Sequence, residues 1–202
     1  GLFPLHSSMP YTYGWSTPTT ASLMSSVVSK AYIFLLIKVY WRVIGIDLFE
    51  QMPIGQILFF LGIAGAIIGS VYAIKATDLN RMVAYSSAAQ IGYIFMSLGI
   101  GGTAGYAAAI FHLIGHSLTT SLLFLVPPRL QVVSGGSLRF KDLMGSAQRD
   151  RVSGFLFLFA SLSMVGFPAL AGFSSKLLIT EAAFDSGNTA TLILVVLTLA
   201  VS

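Results

Sequence analysis

Four side chains that can exchange a proton lie inside apolar stretches of this chain. Lys30 and Lys176 each lie in an apolar run, and His112 and His116 are four residues apart, so they share one face of a helix. A charge in the middle of a bilayer costs roughly 2.5 to 3.5 kcal/mol on insertion scales, so such a group normally faces a partner or a wet cavity. Imidazole passes protons on near neutral pH. The four residues together predict a buried proton path.

Both lysines follow stretches in which a membrane helix would be interrupted. Pro18 precedes a serine-rich half-helix, and hydroxyl groups can bond to the backbone carbonyls that a broken helix leaves free. The second interruption is a Gly- and Pro-containing segment, 166–172. Interrupted hydrophobic segments at corresponding places in two halves of a chain point to the transport site of secondary transporters. The alternative for Lys30 is a side chain that extends to the lipid headgroups, although Lys38 and Arg42 already mark that end of the segment.

The histidine pair also has alternatives. Two histidines at this spacing could ligate a metal and so form a membrane metalloenzyme, but neither a carboxylate nor a cysteine accompanies them. Hydrogen bonding between helices without proton transfer is the stronger alternative. We predict no metal site and no cofactor, because the sequence holds no quinone, flavin or iron–sulfur motif.

Four further polar residues are expected on a secondary polar path or in loops. Asp78 and Arg81 are most simply a helix cap and a loop charge. Thr120 continues the face of the histidines. Glu181 lies five residues after Lys176, a spacing that is poor for a direct ion pair on a helix.

Composition places the chain in a membrane. The 202 residues are 55% hydrophobic and only 9% charged, with a mean hydropathy of +0.85, which leaves too little polar surface for a soluble globule. With no cysteine, disulfides, thiolate metal sites and cysteine nucleophiles are excluded. The net charge of +4 belongs to loops and gives no support for nucleic-acid binding. Because neither a nucleophile motif nor a phosphate-binding loop is present, we predict no covalent active site.

Runs of about 20 apolar residues predict about six transmembrane helices, two of them discontinuous, in an all-α integral membrane protein. A loop is expected over residues 1–14. The chain lacks an initiator Met and its last apolar run stops at Ser202, so we expect a partial membrane domain over residues 1–202. The predicted spans are Pro18–Arg42, Ile54–Ala76, Met82–Ile100, Tyr106–Val126, the interrupted segment 152–181, and Thr189–Ser202.

Basic residues predict the orientation of these spans. The connections on one side carry seven basic residues, whereas the other side has two beside Asp47 and Glu50, so the first side is expected to be cytoplasmic. The seven are Lys75, Arg81, Arg129, Arg139, Lys141, Arg149 and Arg151.

Four collinear motifs resemble one family, the antiporter-like proton-conducting membrane subunits. This family includes the large membrane subunits of respiratory complex I, the multisubunit sodium/proton antiporters and the membrane-bound hydrogenases. The motifs are Thr77–Tyr93, with its Thr-Asp-x-x-Arg and Ala-Tyr-Ser-Ser elements; Ala109–Phe124, with both histidines; Gly166–Lys176; and the pattern formed by Pro4, His6, Met9, Pro10 and 18–38.

The resemblance implies a fold of about fourteen helices with two inverted repeats of five. This chain would cover the end of the first repeat and most of the second. Lys30 would be the lysine of the first broken helix and Lys176 the charged residue of the second, with His112 and His116 on the path between them. Asn80 and Thr120 stand where the family usually or often has Lys, and Phe59 stands near the place of a central Lys or His.

We therefore predict proton translocation, or sodium/proton exchange, in the membrane subunit of a complex I-like, hydrogenase or multisubunit antiporter complex. The expected partners are homologous membrane subunits, possible soluble redox subunits and lipid. The expected location is a prokaryotic plasma membrane, or a mitochondrial or thylakoid membrane. The alternative is a structural or assembly paralogue that has lost conduction together with the three ionisable positions.

Overall fold

The computed structural model describes residues 12, 16–45 and 52–201, and these are helical apart from their connections. Apart from Thr12, the predicted N-terminal loop with its Pro4–Pro10 motif lies outside the described residues, as do Asp47 and Glu50. The helices are α1 Pro18–Leu23, α2 Ser29–Val39, α3 Ile54–Lys75, α4 Leu79–Ile100, α5 Gly102–Leu125, α6 Pro127–Val133, α7 Ser146–Arg149, α8 Arg151–Val165, α9 Ala171–Asp185 and α10 Thr189–Val201.

Four helical runs are long and apolar enough to cross a membrane: Thr19–Val43, Ile54–Lys75, Leu79–Ile100 and Gly102–Val133. The pair α8 and α9 forms the predicted interrupted span, and α10 forms the last one. The predicted all-α membrane fold is confirmed, with four candidate spans and two shorter apolar helices, Arg151–Val165 and Thr189–Val201, among the described residues. Two of these runs begin earlier than predicted, by three and four residues, because Asp78 begins α4 as its N-cap and Gly101 precedes α5. The fourth run ends seven residues later than predicted, at Val133 instead of Val126.

The first span is interrupted without a break in the chain. Between α1 and α2, Met24–Val28 forms a π-helical turn, and a second π-helical turn, Tyr40–Ile44, follows α2. The hydroxyl of Ser29 donates to the carbonyl of Met24 at 2.8 Å. A π-turn contains one extra residue and changes which backbone carbonyls lack a helical partner. Hydroxyl groups can then bond to these carbonyls, as the sequence predicted for a broken helix.

The second interruption is a true turn between α8 and α9. Gly166 has φ +95° and Ala169 has φ +73°, so both lie in the left-handed region that ends a helix. A Cβ on Gly172 would lie 1.6 Å from the carbonyl oxygen of Ser163, so only glycine lets α9 start this close to α8.

Helices α3 and α4 lie backbone against backbone. A Cβ on Gly62 would lie 2.4 Å from the nitrogen of Met96, and one on Gly69 would lie 2.8 Å from the nitrogen of Ala89. Both glycines therefore lie in this helix contact, where small residues let two backbones approach closely. Close packing here encloses α4, whose side chains are the most buried of the four long spans.

The basic connections meet at one end of the bundle. The backbone of Leu79 donates to the carbonyl of Leu138 at 3.0 Å, and Arg129 lies 3.7 Å from Asp150. Asp150 caps α8 by accepting hydrogen bonds from the hydroxyl and the backbone of Ser153, and these bonds lower the pKa of its carboxyl. The structure thus gathers the residues on which the predicted orientation rests; the cytoplasmic assignment itself stays a prediction.

Candidate functional site

The ammonium group of Lys30 is buried against its own helix. Lys30 lies in the first turn of α2, is only 4% exposed, and donates a hydrogen bond to the carbonyl of Ser25 in the preceding π-turn. This acceptor lies five residues back, where the π-turn displaces a carbonyl from the usual helical pairing. The side chain therefore points into the protein and does not extend to the headgroups.

Two serine hydroxyls lie between the π-turn and His116. The Oγ of Ser25 lies 3.3 Å from the Oγ of Ser87 on α4, and the Oγ of Ser87 lies 3.3 Å from Nε2 of His116 on α5. Ser25 and Ser87 are both fully buried. Three helical elements thus contribute one polar group each to a continuous row.

The two imidazoles stack along the same face of α5. Their centroids are 6.1 Å apart and the planes differ by 16°, as their spacing of four residues predicts. His116 Nδ1 lies 2.9 Å from the Oγ1 of Thr120, which also bonds to the carbonyl of His116 at 2.5 Å. A further contact, from Thr120 Oγ1 to His116 Nε2, is longer at 3.4 Å.

His112 connects this face to α9. Its Nδ1 lies 2.8 Å from the Oγ of Ser175, and its ring meets the ring of Tyr93 edge-on at 5.9 Å. Its Nε2 is buried and meets no partner at hydrogen-bond geometry among the described residues, although the backbone of Gln90 is near enough to interact with the imidazole.

Lys176 lies at the far end of the row. Its Nζ donates to the carbonyl of Val165 at 2.8 Å, across the turn between α8 and α9, and lies 5.6 Å from the centre of the Tyr93 ring. Val165 is the last residue of α8, so the ammonium is held at the negative end of that helix's dipole.

A cavity of about 340 Å³ reaches this turn. It is lined mainly by apolar side chains, with Ser86, Gln90 and Ser161 among its polar groups, and it extends to Val165. It also reaches Met82, near the start of α4, at the end of the bundle where the basic connections meet.

The structure brings together five of the eight predicted site residues: Lys30, His112, His116, Lys176 and Thr120. The other three lie apart from them. Asp78 caps α4 by accepting from the backbone of Arg81 at 2.9 Å and lies 3.3 Å from its guanidinium, as the simpler alternative predicted. Glu181 is exposed. The predicted secondary polar path therefore contributes only Thr120 to this row.

Residue-by-residue reasoning did not single out Ser87, Tyr93 or Ser175 as site residues. Each lies inside one of the motifs, in Ala-Tyr-Ser-Ser, in Gly-Tyr and in Gly-Phe-Ser-Ser-Lys. Ser175 lies beside Lys176, whereas Ser87 and Tyr93 lie six and twelve residues after Arg81. Which face they occupy depended on the packing of α4, α5 and α9.

Residues 1–202 match the family described as NADH:quinone oxidoreductase/Mrp antiporter, TM. The chain belongs to this family. The match confirms the resemblance predicted from the four motifs and the location of the protein in a membrane.

Several relatives of this chain are named as subunits. An NADH-quinone oxidoreductase subunit N of Desulforudis audaxviator is 32% identical over 186 residues, which cover 92% of this chain and 37% of that protein. A putative antiporter subunit of Staphylococcus aureus is 33% identical over 202 residues, which cover 92% of this chain and 24% of that protein.

Among solved structures, the chain resembles one in the membrane-bound sulfane sulfur reductase, an archaeal respiratory membrane complex. The TM-score is 0.88 at 23% identity, and the likeness covers 100% of this chain and 41% of that one. It therefore shows the fold. The chain spans between about a quarter and two fifths of the length of these relatives.

Proposed function

We propose that the chain forms part of a membrane subunit that moves protons through Lys30, His116, His112 and Lys176. The observation that carries this proposal is the row of buried polar groups between the two interrupted helices. Relatives from an NADH-quinone oxidoreductase and an antiporter complex support it. We propose in addition that this subunit assembles with partner membrane subunits and with soluble redox subunits.

A charge change beside Lys30 drives the proposed transfer. When a positive charge approaches, the ammonium becomes costlier in its buried site and releases a proton. The hydroxyls of Ser25 and Ser87 offer the nearest route to His116. The proton then crosses the stacked histidines to the region of Tyr93 and Lys176, and the cavity at Val165 gives Lys176 access to the end of the bundle.

The nature of the buried groups favours a proton over a sodium ion. Metal cations such as Ca²⁺ and Mg²⁺ are held by clusters of oxygen ligands that include carboxylates. Among the described residues, the buried polar and charged side chains are serines, threonines, histidines, one glutamine and Lys30, without a carboxylate. Hydroxyl and imidazole groups in single file suit proton transfer.

The test is coupled proton transport by vesicles that contain the assembled complex with Lys176→Ala. We expect a loss of at least about a hundredfold, because general acid–base groups contribute typically 10² to 10⁴ to proton transfer. Lys38→Ala is the matched control, since Lys38 lies at the exposed end of α2, and it should leave transport unchanged. Native gels check assembly of both variants. Unchanged transport in an assembled Lys176→Ala complex would contradict the proposal.

One observation favours the second candidate, a structural or assembly paralogue without conduction. Phe59 lies buried in an apolar cluster with Tyr93, Met96 and Ile179, so this neighbour of the row holds no ionisable group. If both Lys30→Ala and Lys176→Ala complexes assemble and transport normally, whereas Gly62→Leu complexes, in which α3 and α4 cannot pack closely, fail to assemble, the structural role is the correct one.

A further inference from the structure

A closed ring of four serines, the serine ring, joins the first span to α5. The hydroxyl of Ser117 donates to the carbonyl of Ser26 at 2.5 Å, and that of Ser26 donates to the carbonyl of Ser22 at 2.6 Å. The hydroxyl of Ser22 donates to the carbonyl of Ser121 at 3.3 Å, and that of Ser121 returns to the carbonyl of Ser117 at 3.0 Å. Two of these hydrogen bonds therefore cross between the first span and α5, and each of the other two lies within one span.

The serine ring lies at the π-turn that serves Lys30. In an α-helix the main-chain N–H of Ser29 would pair with the carbonyl of Ser25, four residues back. Here it pairs with the carbonyl of Met24, five residues back. The carbonyl of Ser25 is thereby left for the ammonium of Lys30, which donates to it. The acceptor of Lys30 is therefore available only while the π-turn keeps this pairing.

The two hydrogen bonds that cross between the helices oppose the loss of this pairing. A return to α-helical pairing removes one residue from the turn and rotates α1 by about 100° relative to α2, because an α-helix has 3.6 residues per turn. Ser22 and Ser26 would then turn away from α5, and both bonds to that helix would break. Since the membrane interior has no bulk water to replace them, the rotated form is the costlier one.

We propose that Ser117 and Ser22 are positioning residues that hold the π-turn, and through it the ammonium of Lys30, in place. Ser117 contributes more, because its bond of 2.5 Å lies at the short end of the usual range for two oxygens, whereas the 3.3 Å bond of Ser22 exceeds that range. Ser117 also follows His116 directly in α5. The same bond therefore ties the turn of Lys30 to the helix that carries the histidines.

The test measures how fast the Lys30 amine reacts with acetic anhydride in the assembled complex in lipid. A buried amine is acetylated only when the structure around it opens, so the reaction rate reports the opening of the turn. Mass spectrometry of peptides distinguishes Lys30 from Lys38, which is exposed near the other end of α2. The rate at Lys38 serves as the internal reference.

We expect Ser117→Ala to accelerate the reaction of Lys30 about fivefold, the effect of one hydrogen bond on an opening equilibrium. Ser22→Ala should accelerate it about twofold, because its bond is longer. Ser121→Ala is the matched control: its hydroxyl lies one turn from Ser117 on α5 but donates within its own helix, so the rate should stay unchanged. Ser117→Thr retains a hydroxyl and should restore the original rate.

The rate at Lys176 separates a local effect from a general loosening of the bundle, and it should not change in any of these variants. Equal Lys30 rates in Ser117→Ala and Ser121→Ala would overturn the proposal, as would an equal acceleration at Lys176. Native gels check assembly. If Ser117→Ala does not assemble, Ser22→Ala decides, and a Lys30 rate equal to that of Ser121→Ala would then overturn the proposal.

The inference rests on the proposed function only for its consequence in transport. Removing a group that orients a reactive side chain typically costs 10- to 100-fold, so we expect Ser117→Ala to slow proton transport about tenfold. If Lys30 reacts as expected but Lys30→Ala leaves transport unchanged, the proposed function fails and the positioning role stands. If Lys176→Ala abolishes transport but Ser117→Ala changes neither rate, only the positioning role fails.

Discussion

The two interrupted helices hold their lysines in different ways. Lys30 follows a π-turn that keeps the helix continuous, and it bonds to a carbonyl of its own span. Lys176 follows a full turn, and its ammonium reaches across that turn to the last carbonyl of α8. Lys30 is deeply buried, whereas Lys176 is partly exposed beside the cavity at Val165.

The two kinds of interruption give their lysines different numbers of free carbonyls and different access to solvent. A π-turn frees one carbonyl and keeps the lysine enclosed, so proton exchange there must pass through Ser25 and its neighbours. A complete turn exposes a helix end with several free carbonyls and opens space for water or solute. We infer that the Lys30 end is the enclosed end of the path and the Lys176 end is the accessible one.

The largest expected effect comes from a substitution at the turn between α8 and α9. Gly172→Ala places a Cβ against the carbonyl of Ser163, so α8 and α9 must separate. We expect transport to be abolished and the free energy of unfolding to fall by about 3 kcal/mol or more, as for severe backbone clashes. Gly115→Ala is the control, since its Cβ would meet only the Cβ of Ala171 at 3.5 Å. Thermal melting in detergent and transport in vesicles measure the two effects, and a stable, active Gly172→Ala complex would refute this geometry.

An intermediate effect is expected at the enclosed end. Ser87→Ala removes the hydroxyl between Ser25 and His116, and we expect about a tenfold slower transfer because water must replace it. Ser97→Ala serves as control, since Ser97 is equally buried on α4 but bonds to the carbonyl of Gly105. The measurement is the proton transport rate of the two variants at matched protein levels. Equal rates for the two variants would show that the row at Ser87 is not used.

The smallest expected effect is on stability, at Asp150, which lies at the end of the bundle where the basic connections meet. The hydrogen bonds from Ser153 hold the pKa of Asp150 below its usual range, so the folded state favours the carboxylate. This contribution to stability is present above the unfolded pKa near 3.8 and is lost as the pH falls through the lower folded value. Asp150→Ala should slightly lower the melting temperature at neutral pH and flatten its decline below pH 4. Asp185→Ala, at the exposed end of α9, should leave that decline unchanged.

The sequence predicted the helices and the charged ends of the path for physical reasons. Apolar runs must span the bilayer, and an ammonium inside one is too costly to be incidental, which singled out Lys30 and Lys176. The spacing of His112 and His116 fixed their common face.

What the sequence did not specify depends on packing between helices. Serine is small and common in membrane helices, so Ser87 and Ser175 stood out only once α4 and α9 lay against α5. The Pro- and Ser-rich start of the first span was compatible with a break, and the structure resolves it into a π-turn. Thr120 was predicted on the helix face of the histidines, and the structure places its hydroxyl against the ring of His116.

The central claim is that one row of groups joins the two lysines. It is tested most directly by transport rates of Ser87→Ala, Ser175→Ala and the double variant, each in the assembled complex. Both serines lie on the same row, one at each end of the histidine pair. If each single variant slows transport about tenfold because its own step becomes rate-limiting, the two delays add, and the double variant should be only about twofold slower than either single variant. Losses that multiply to about a hundredfold, or single variants without any loss, would contradict a single path.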